Sequence, residues 1–177
     1  MLSETMKVVA VDKDGLNATA QLNITVLDYN DNTPQFPTLP DPIPFPEGEY
    51  SDKSPGEVYH ILATDSDLGS NGEVTISISS SATLFRFRED GMLLVVGPLD
   101  RETNDIYELV IVATDKGTPQ RQNMTSIRVS VTDVNDNSPV FSANTYTRAS
   151  GEGRQVGDVL LTLSATDKDM GLNALVT

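Results

Sequence analysis

The sequence predicts an all-β protein built from antiparallel β-sandwiches in tandem. Short apolar runs alternate with polar residues along the chain, which is the pattern of strands with one buried face. No window of useful length favours a helix. An acidic five-residue motif also occurs twice, at 28–32 (the first linker) and 133–137 (the second linker), so its copies begin 105 residues apart. That spacing matches one small all-β domain, and we interpret the motif as a linker between repeated domains.

Two strands are expected near the start of the chain, at 7–11 and 20–27. The turn formers at 12–15 connect them, which predicts a hairpin. A two-stranded hairpin is only marginally stable alone. We therefore expect residues 1–32 to be the C-terminal strands of a preceding repeat together with its linker.

Residues 33–137 are predicted to form one complete repeat with its linker. The first segment carries six prolines between 34 and 46, which suits an edge or extended segment rather than a central strand. Further strands are expected at 57–64, 73–79, 84–88, 92–96, 106–114 and 124–132. About seven short strands separated by turn signals are typical of an antiparallel sandwich.

The strand pattern restarts after the second linker. A strand is expected at 159–165, in the place that 57–64 occupies in the complete repeat. In that earlier strand, Tyr59 and Ile61 are predicted to face the core. We expect residues 138–177 to be the N-terminal strands of a following repeat, and the chain to be an internal piece of a larger protein.

Charge and composition limit the function. The formal net charge is −14, from 26 acidic against 12 basic residues, which argues against nucleic acid or an anionic membrane surface as a partner. The acidic residues lie between alternating apolar runs, so a disordered acidic chain is not expected. There is no cysteine, which leaves neither disulfides nor thiolate metal sites. A soluble acidic surface and a cation-binding protein remain.

The acidic clusters fall at predicted strand ends, at 65–71, 100–102, 115 and 133–137. Calcium prefers six to eight oxygen ligands from carboxylates, amides and carbonyls, and these clusters supply such oxygens. Two carboxylates about 4 Å apart repel by roughly 4 kcal/mol at an effective dielectric near 20, and a divalent ion reverses the sign. A single cluster could be a solvated turn. The repeated linker favours calcium, and an EF-hand is excluded because strands rather than helices flank each cluster.

Five motifs together resemble those of the extracellular cadherin repeat, and the resemblance covers essentially the whole chain. They are Pro46-Glu47-Gly48, Asp65-Ser66-Asp67, Leu99-Asp100-Arg101-Glu102, Ala113-Thr114-Asp115 and the linker Asp133 to Asn137. The resemblance implies a Greek-key, seven-stranded, Ig-like sandwich and three calcium ions at each linker. The chain departs from the family at Gly151-Glu152-Gly153, where cadherins prefer Pro-Glu-Asn.

The resemblance also implies the metal ligands at the second linker. Two ions there would use Glu47, Asp100, Glu102, Asp133, the Val134 carbonyl, Asp136 and Asp169. A third ion would use Asn135, the Asn137 carbonyl, Asp167, Asp169 and the Asn173 carbonyl.

At the first linker, the resemblance implies a complete third ion. Its ligands would be Asn30, the Asn32 carbonyl, Asp65, Asp67, the Asn71 carbonyl and Asp115. The first two ions would have only Asp28, the Tyr29 carbonyl, Asp31 and Asp67, so we expect weak or absent binding at those two positions in this chain.

Cadherin resemblance implies an extracellular glycoprotein, the ectodomain of a plasma-membrane protein of the long or protocadherin-like kind. The expected function is calcium-dependent cell-cell adhesion, with linker calcium rigidifying the ectodomain and other cadherin ectodomains as homophilic or heterophilic partners. The alternative is a protein-binding module of a cell-surface signalling receptor or ligand. A metal-dependent hydrolase lacks support, since a closed ligand set leaves no open coordination position. Three glycosylation sequons begin at Asn17, Asn23 and Asn123.

Overall fold

The computed structural model describes residues 2–79 and 83–177. Eleven strands are found in this part of the chain, with no α-helix and one short 3₁₀ turn at Gly69–Gly72. The strands are β1 Leu2–Val11, β2 Asn17–Val26, β3 Ile43–Pro46, β4 Gly56–His60, β5 Val74–Ile78, β6 Phe85–Phe87, β7 Met92–Val95, β8 Ile106–Asp115, β9 Gln122–Thr132, β10 Val140–Phe141 and β11 Ala165–Thr166. The all-β prediction is confirmed.

Strands β3 to β9 form a two-sheet sandwich. One sheet has the order β3-β9-β8-β5 and the other β4-β7-β6. All neighbours pair antiparallel except β3 and β9, which run parallel with Ile43 opposite Val129. The sequence predicted an antiparallel sandwich and did not anticipate this parallel edge.

The proline-rich segment forms that edge, as expected. Within β3, Ile43 and Phe45 are buried whereas Pro44 and Pro46 are exposed. Proline has no N–H to donate to a neighbouring strand, so an edge strand is the position where it costs the sheet least. The alternation therefore lets one short strand contribute to the core and tolerate two prolines.

The core lies between the two sheets and follows the period of two along each strand. Ile127 and Val129 in β9 are 1% and 0% exposed, and Leu109 and Ile111 in β8 are both 0% exposed. Cross-strand neighbours on one face pack directly against each other. The predicted inward parity of β9 is confirmed.

One parity prediction in β4 is wrong. Tyr59 was expected to face the core but is 38% exposed, whereas Val58 packs against the core cluster. The register of β4 against β7 shifts between Glu57 and Tyr59. A bulge inserts one residue on one strand and interrupts the alternation of buried and exposed side chains. Ile61, directly after β4, is 0% exposed.

The first 26 residues contain a hairpin longer than predicted. Strands β1 and β2 pair over ten residues each, from Leu2 opposite Val26 to Val11 opposite Asn17. The turn is closed by Asp12, whose Oδ1 accepts hydrogen bonds from the N–H groups of Asp14 and Leu16, both 2.9 Å. All the side chains described in this hairpin are exposed.

The strand expected at 159–165 is found only at its end. Among the described residues, β11 (Ala165–Thr166) pairs with β10 (Val140–Phe141), and 159–164 pair with no strand. A strand is stabilised by the ladder it forms, so an alternating sequence without a neighbour stays extended but unpaired. No helix in the described ranges is long and apolar enough to cross a membrane.

Candidate metal centres at the two linkers

Strand pairing places the first acidic residues of the second linker. Strand β9 ends at Thr132, directly before Asp133, and β3 ends at Pro46, directly before Glu47. Since β3 and β9 are parallel neighbours with Pro46 opposite Thr132, Glu47 and Asp133 leave the sheet side by side. The Glu47 N–H continues the ladder by donating to the Thr132 carbonyl at 3.1 Å.

A backbone bridge brings the third acidic segment to the same edge. Gly48 and Leu99 exchange N–H to carbonyl hydrogen bonds at 2.9 and 3.0 Å. Asp100, Arg101 and Glu102 follow Leu99 immediately. Three segments that are distant in sequence therefore meet at one end of the sandwich.

The result is a compact cluster of three carboxylates. Glu47, Glu102 and Asp133 each offer an oxygen, and these oxygens all lie within 4.8 Å of one another. Glu47 is 4% exposed and accepts hydrogen bonds from the N–H groups of Arg101 at 2.9 Å and Val134 at 2.6 Å. Such backbone donors fix the Glu47 carboxylate in position.

The Arg101 side chain lies within this cluster. Its Nε donates to Asp133 Oδ1 at 2.7 Å, and its Nη2 donates to Glu102 Oε1 and to the Lys168 carbonyl at 2.9 Å. The side chain is 11% exposed. It is the one basic side chain that pairs with these carboxylates within the described part of the chain.

The second linker also contacts the segment that follows it. Asp133 accepts hydrogen bonds from the Met170 N–H at 3.0 Å and from Asn173 Nδ2 at 2.9 Å. Asn137 donates to Asp169 Oδ1 through its N–H at 3.2 Å and its Nδ2 at 2.8 Å. We call each linker together with the polar residues that surround it a joint.

The carboxylates of the second joint repel one another, and this repulsion helps to raise the pKa of Asp136. Burial, and then the negative charges of Glu47, Asp169, Asp100 and Asp133, raise the pKa of Asp136 above its ordinary value. These charges come from the linker itself and from both sides of it. An isolated acidic loop in water would show no such crowding.

Two further pKa shifts at the second joint have opposite signs. The pKa of Glu102 is raised, first by burial and then by the nearby charges of Glu47 and Asp136. Burial also acts to raise the pKa of Asp133, but hydrogen bonds from Asn173, Met170 and Arg101 outweigh it and leave the pKa lowered. The joint thus contains carboxylates whose pKa is raised and others whose pKa is lowered.

The first linker makes the same contacts with the domain that follows it. Asp28 accepts hydrogen bonds from the Leu68 N–H at 3.0 Å and from Asn71 Nδ2 at 2.9 Å. Asn32 donates to Asp67 through its N–H at 3.0 Å and also through its side-chain amide. These contacts correspond one for one to those that Asp133 and Asn137 make at the second joint.

A buried asparagine and aspartate distinguish the first joint. Asn30 is 1% and Asp115 0% exposed, and Asn30 Nδ2 donates to Asp115 Oδ2 at 3.0 Å and to the Pro119 carbonyl at 2.7 Å. Asp115 Oδ1 also accepts from the N–H groups of Gly117 and Arg121, both at 3.0 Å. Burial acts to raise the pKa of Asp115, but the hydrogen bonds from Arg121, Asn30 and Gly117 prevail and lower it.

Gly117 is required for this packing. A Cβ added there would lie 2.0 Å from Asn30 Nδ2 and 2.9 Å from Asn71 Oδ1. Those distances are shorter than any van der Waals contact, so a side chain would displace Asn30. The loop 116–121 after β8 therefore fits around the linker amide.

Three buried oxygens indicate that the joints fit a cation. Asn30 Oδ1, Asp65 Oδ2 and Asp169 Oδ2 have no hydrogen-bond partner among the described residues. A buried acceptor without a partner is costly, and a hard divalent cation such as calcium binds oxygens of this kind. Asp65 and Asp169 both belong to D-x-D motifs, one at each joint.

The structure does not bring every predicted ligand into these contacts. Asp100 is exposed and is turned towards Thr103, whose Oγ1 donates to it at 2.7 Å and whose hydrogen bond lowers the pKa of Asp100. Asn135 is exposed, unlike its counterpart Asn30. The sequence does not predict that Arg101 contacts the cluster, although its position between the predicted ligands Asp100 and Glu102 is a signal for that contact.

The sequons lie on strands. Asn17 and Asn23 are exposed on β2, and Asn23 Oδ1 accepts a hydrogen bond from Thr5 Oγ1 at 2.9 Å. Asn123 precedes the strand predicted at 124–132 but lies within β9, half-buried, where its Nδ2 donates to the Pro34 carbonyl at 2.9 Å. Glycosylation would occur on that same nitrogen, so the geometry favours Asn17 and Asn23 over Asn123.

Comparison with known proteins identifies the family. A family model described as "Cadherin domain" matches residues 45–132. Human protocadherin-15 is 40% identical over 157 residues, or 88% of this chain and 8% of the relative. Human protocadherin Fat 4 is 40% identical over 166 residues, or 89% of this chain and 3% of the relative. The chain thus spans a small part of these relatives.

Solved structures agree with this match. The protocadherin GammaB4 extracellular domain superposes with a TM-score of 0.74 at 32% identity, covering 97% of this chain and 27% of that one. Mouse cadherin-23 EC22-24 gives a TM-score of 0.74 at 26% identity, covering 97% and 55%. The chain therefore belongs to the cadherin superfamily and contains a cadherin repeat of the protocadherin-like kind.

Proposed function

We propose that this chain is part of an adhesive ectodomain whose two joints are stiffened by calcium. In this proposal residues 1–32 end one cadherin repeat, residues 33–137 form a complete repeat with its linker, and residues 138–177 begin another. The role is structural rather than catalytic. The ligands are those that the cadherin resemblance implies at each linker.

One observation carries the proposal. Both linkers make the same hydrogen bonds to the segment that follows, through Asp28 and Asn32 at the first and Asp133 and Asn137 at the second. A solvated acidic turn would have no reason to repeat that geometry. The repetition supports a joint whose orientation is specified by the linker motif.

The chemistry of a joint follows from where its charges originate. The carboxylates of the second joint come from the linker, from the repeat before it (Glu47, Glu102) and from the segment after it (Asp169), and their repulsion opposes a closed arrangement. A bound calcium ion would supply two positive charges that carboxylates on both sides share. The oxygens without partners, such as Asp169 Oδ2, add ligands that need no other bond to be broken.

Location and partners follow from the family. We place the parent protein at the plasma membrane with this segment outside the cell, where calcium suffices for modules that bind at roughly 10⁻⁴ to 10⁻³ M. Other cadherin ectodomains are the proposed partners, in homophilic or heterophilic pairs. A title among the matched structures, "Protocadherin gammaB7 EC3-6 cis-dimer structure", describes such an association for that protein.

Small-angle scattering tests the proposal on this chain and on a longer chain with both neighbouring repeats complete. We expect the maximum dimension to be larger and better defined in calcium than in chelator, because calcium removes the repulsion across each joint. Magnesium at equal ionic strength is the control for screening. Identical profiles of the longer chain in calcium and in chelator would refute the stiffening role.

A further inference from the structure

Arg101 connects all three parts of the second joint. Its backbone belongs to the complete repeat, its Nε donates to Asp133 in the linker at 2.7 Å, and its Nη2 donates to the Lys168 carbonyl in the following segment at 2.9 Å. Lys168 lies between Asp167 and Asp169. One side chain therefore spans the joint directly.

The guanidinium also uses oxygens that a metal would need. Asp133 and Glu102, whose carboxylates accept its hydrogen bonds, are two of the three residues in the cluster of carboxylates. A guanidinium and a divalent cation both require the lone pairs of these carboxylates, and two positive charges this close repel. Both cannot keep their full set of contacts.

We propose that Arg101 is an internal counter-cation of the second joint. It holds the joint together when no divalent ion is bound, and it must leave Asp133 and Glu102 when one binds, so it lowers the calcium affinity of this joint. The inference rests on the proposed calcium role of the joint. In this role Arg101 competes with calcium for the carboxylates instead of binding the ion.

The contact to Glu47 allows the side chain to be tested separately. Glu47 accepts its hydrogen bond from the Arg101 backbone N–H, not from the guanidinium. Replacing the side chain therefore leaves that carboxylate held in place. Arg101→Gln removes the charge, whereas Arg101→Lys keeps it without the planar fork of donors.

The experiment is a calcium titration of the 177-residue chain followed by amide NMR. The Val134 and Met170 signals report the second joint, and the Asn32 signal reports the first as an internal control. We expect Arg101→Gln to bind calcium about fivefold more tightly at the second joint, with no change at the first. Arg101→Lys should stay near the wild-type affinity, and Arg86→Gln, which breaks the exposed pair with Asp52, is the matched control.

A second measurement uses no calcium. In chelator, the Met170 amide, which donates to Asp133, should exchange its hydrogen about fivefold faster in Arg101→Gln than in the wild type or Arg101→Lys, because the tie across the joint is lost.

The two proposals fail in different ways. Normal calcium shifts in the wild type with unchanged or weaker second-joint affinity in Arg101→Gln would overturn the counter-cation role alone. No calcium-dependent shift at either joint of the wild type would refute the proposed function.

Discussion

The two joints share one linker motif but differ in the groups around it. At the first joint the described contacts come from the following domain, including the buried pair Asn30 and Asp115. At the second joint the repeat before the linker adds Glu47, Glu102 and Arg101. Asp115 and Pro119 cover Asn30, which is 1% exposed, whereas no residue described in 138–177 covers Asn135 in that way, and it is exposed.

This comparison distinguishes the hydrogen bonds that the linker motif makes from the burial that the neighbouring strands provide. In both joints, the first aspartate of the linker accepts hydrogen bonds from residues that follow the D-x-D motif. These bonds therefore depend on the linker motif and on the segment that follows the D-x-D motif. Burial of the central asparagine requires the end of β8 and its following loop. Each joint therefore combines contacts that the linker motif makes with contacts that the neighbouring strand ends supply.

The largest expected effect is the separate loss of calcium binding at one joint or the other in two variants. Asp67→Asn should weaken calcium binding at the first joint about a hundredfold and leave the second unchanged, because it removes a carboxylate that Asn32 holds in the joint. Asp169→Asn should do the reverse. Amide NMR titration, with each variant as the other's control, measures both joints, and a loss at both joints in either variant would show that they are not independent.

Gly117→Ala should damage the first joint only. Its Cβ would lie 2.0 Å from Asn30 Nδ2, and relieving such a clash costs about 1–3 kcal/mol in unfolding free energy. Urea denaturation with calcium titration tests this, and Gly151→Ala is the control because nothing lies within 4 Å of its added Cβ. Wild-type stability in Gly117→Ala would mean that the loop moves without cost.

The asparagines at the centre of the two motifs should differ in stability. Asn30→Ala removes two hydrogen bonds from a buried site and should cost about 1–2 kcal/mol of unfolding free energy. The exposed Asn135→Ala should change it by less than about 0.5 kcal/mol. Thermal or urea unfolding in chelator compares them, and equal losses would contradict the asymmetry between the joints.

The smallest effect concerns pH at the second joint. Since the folded state raises the pKa of Asp136, protonation of this group favours the folded state, and that contribution is lost as pH rises through the folded-state pKa. Asp136→Asn should therefore be the more stable protein at neutral pH in chelator, with the advantage vanishing as pH falls towards about 4. Urea midpoints measure it.

The control for the pH experiment is Asp105→Asn, at an exposed position outside the acidic cluster. Asp105→Asn should change the unfolding free energy at neutral pH by less than about 0.5 kcal/mol. If the urea midpoints of Asp136→Asn and of the wild type changed in parallel with pH, the raised pKa of Asp136 in the folded state would be refuted.

Strand positions in the complete repeat could be predicted because alternation reports burial directly. Ile127, Val129 and Val131 are all buried, as their spacing requires. The β4 bulge could not be predicted, since it depends on the register against β7 rather than on local sequence. Tyr59, which follows the bulge, is 38% exposed although its spacing predicted a buried side chain.

The acidic joints could be located from sequence, but their internal contacts could not. The same D-x-N-D-N motif leaves Asn30 buried and Asn135 exposed, because Asp115 and Pro119 cover Asn30 and no described strand end takes that place at Asn135. Arg101 lies in the cluster through its side-chain length and through the Gly48–Leu99 bridge that positions it. Neither feature has a periodic signature in the chain.

The parallel pairing of β3 and β9 has a mechanical consequence. The chain enters the sandwich through the segment before β3, where Gln35 and Thr64 form a backbone bridge, and leaves it just after β9. Tension that passes this bridge pulls β3 and β9 in opposite directions along their length. Four residue pairs, from Ile43 with Val129 to Pro46 with Thr132, bear that shear together. Because Pro44 and Pro46 donate no hydrogen bonds, resistance rests on few bonds, and single-molecule pulling between residues 33 and 137 would measure the load at which this edge slips.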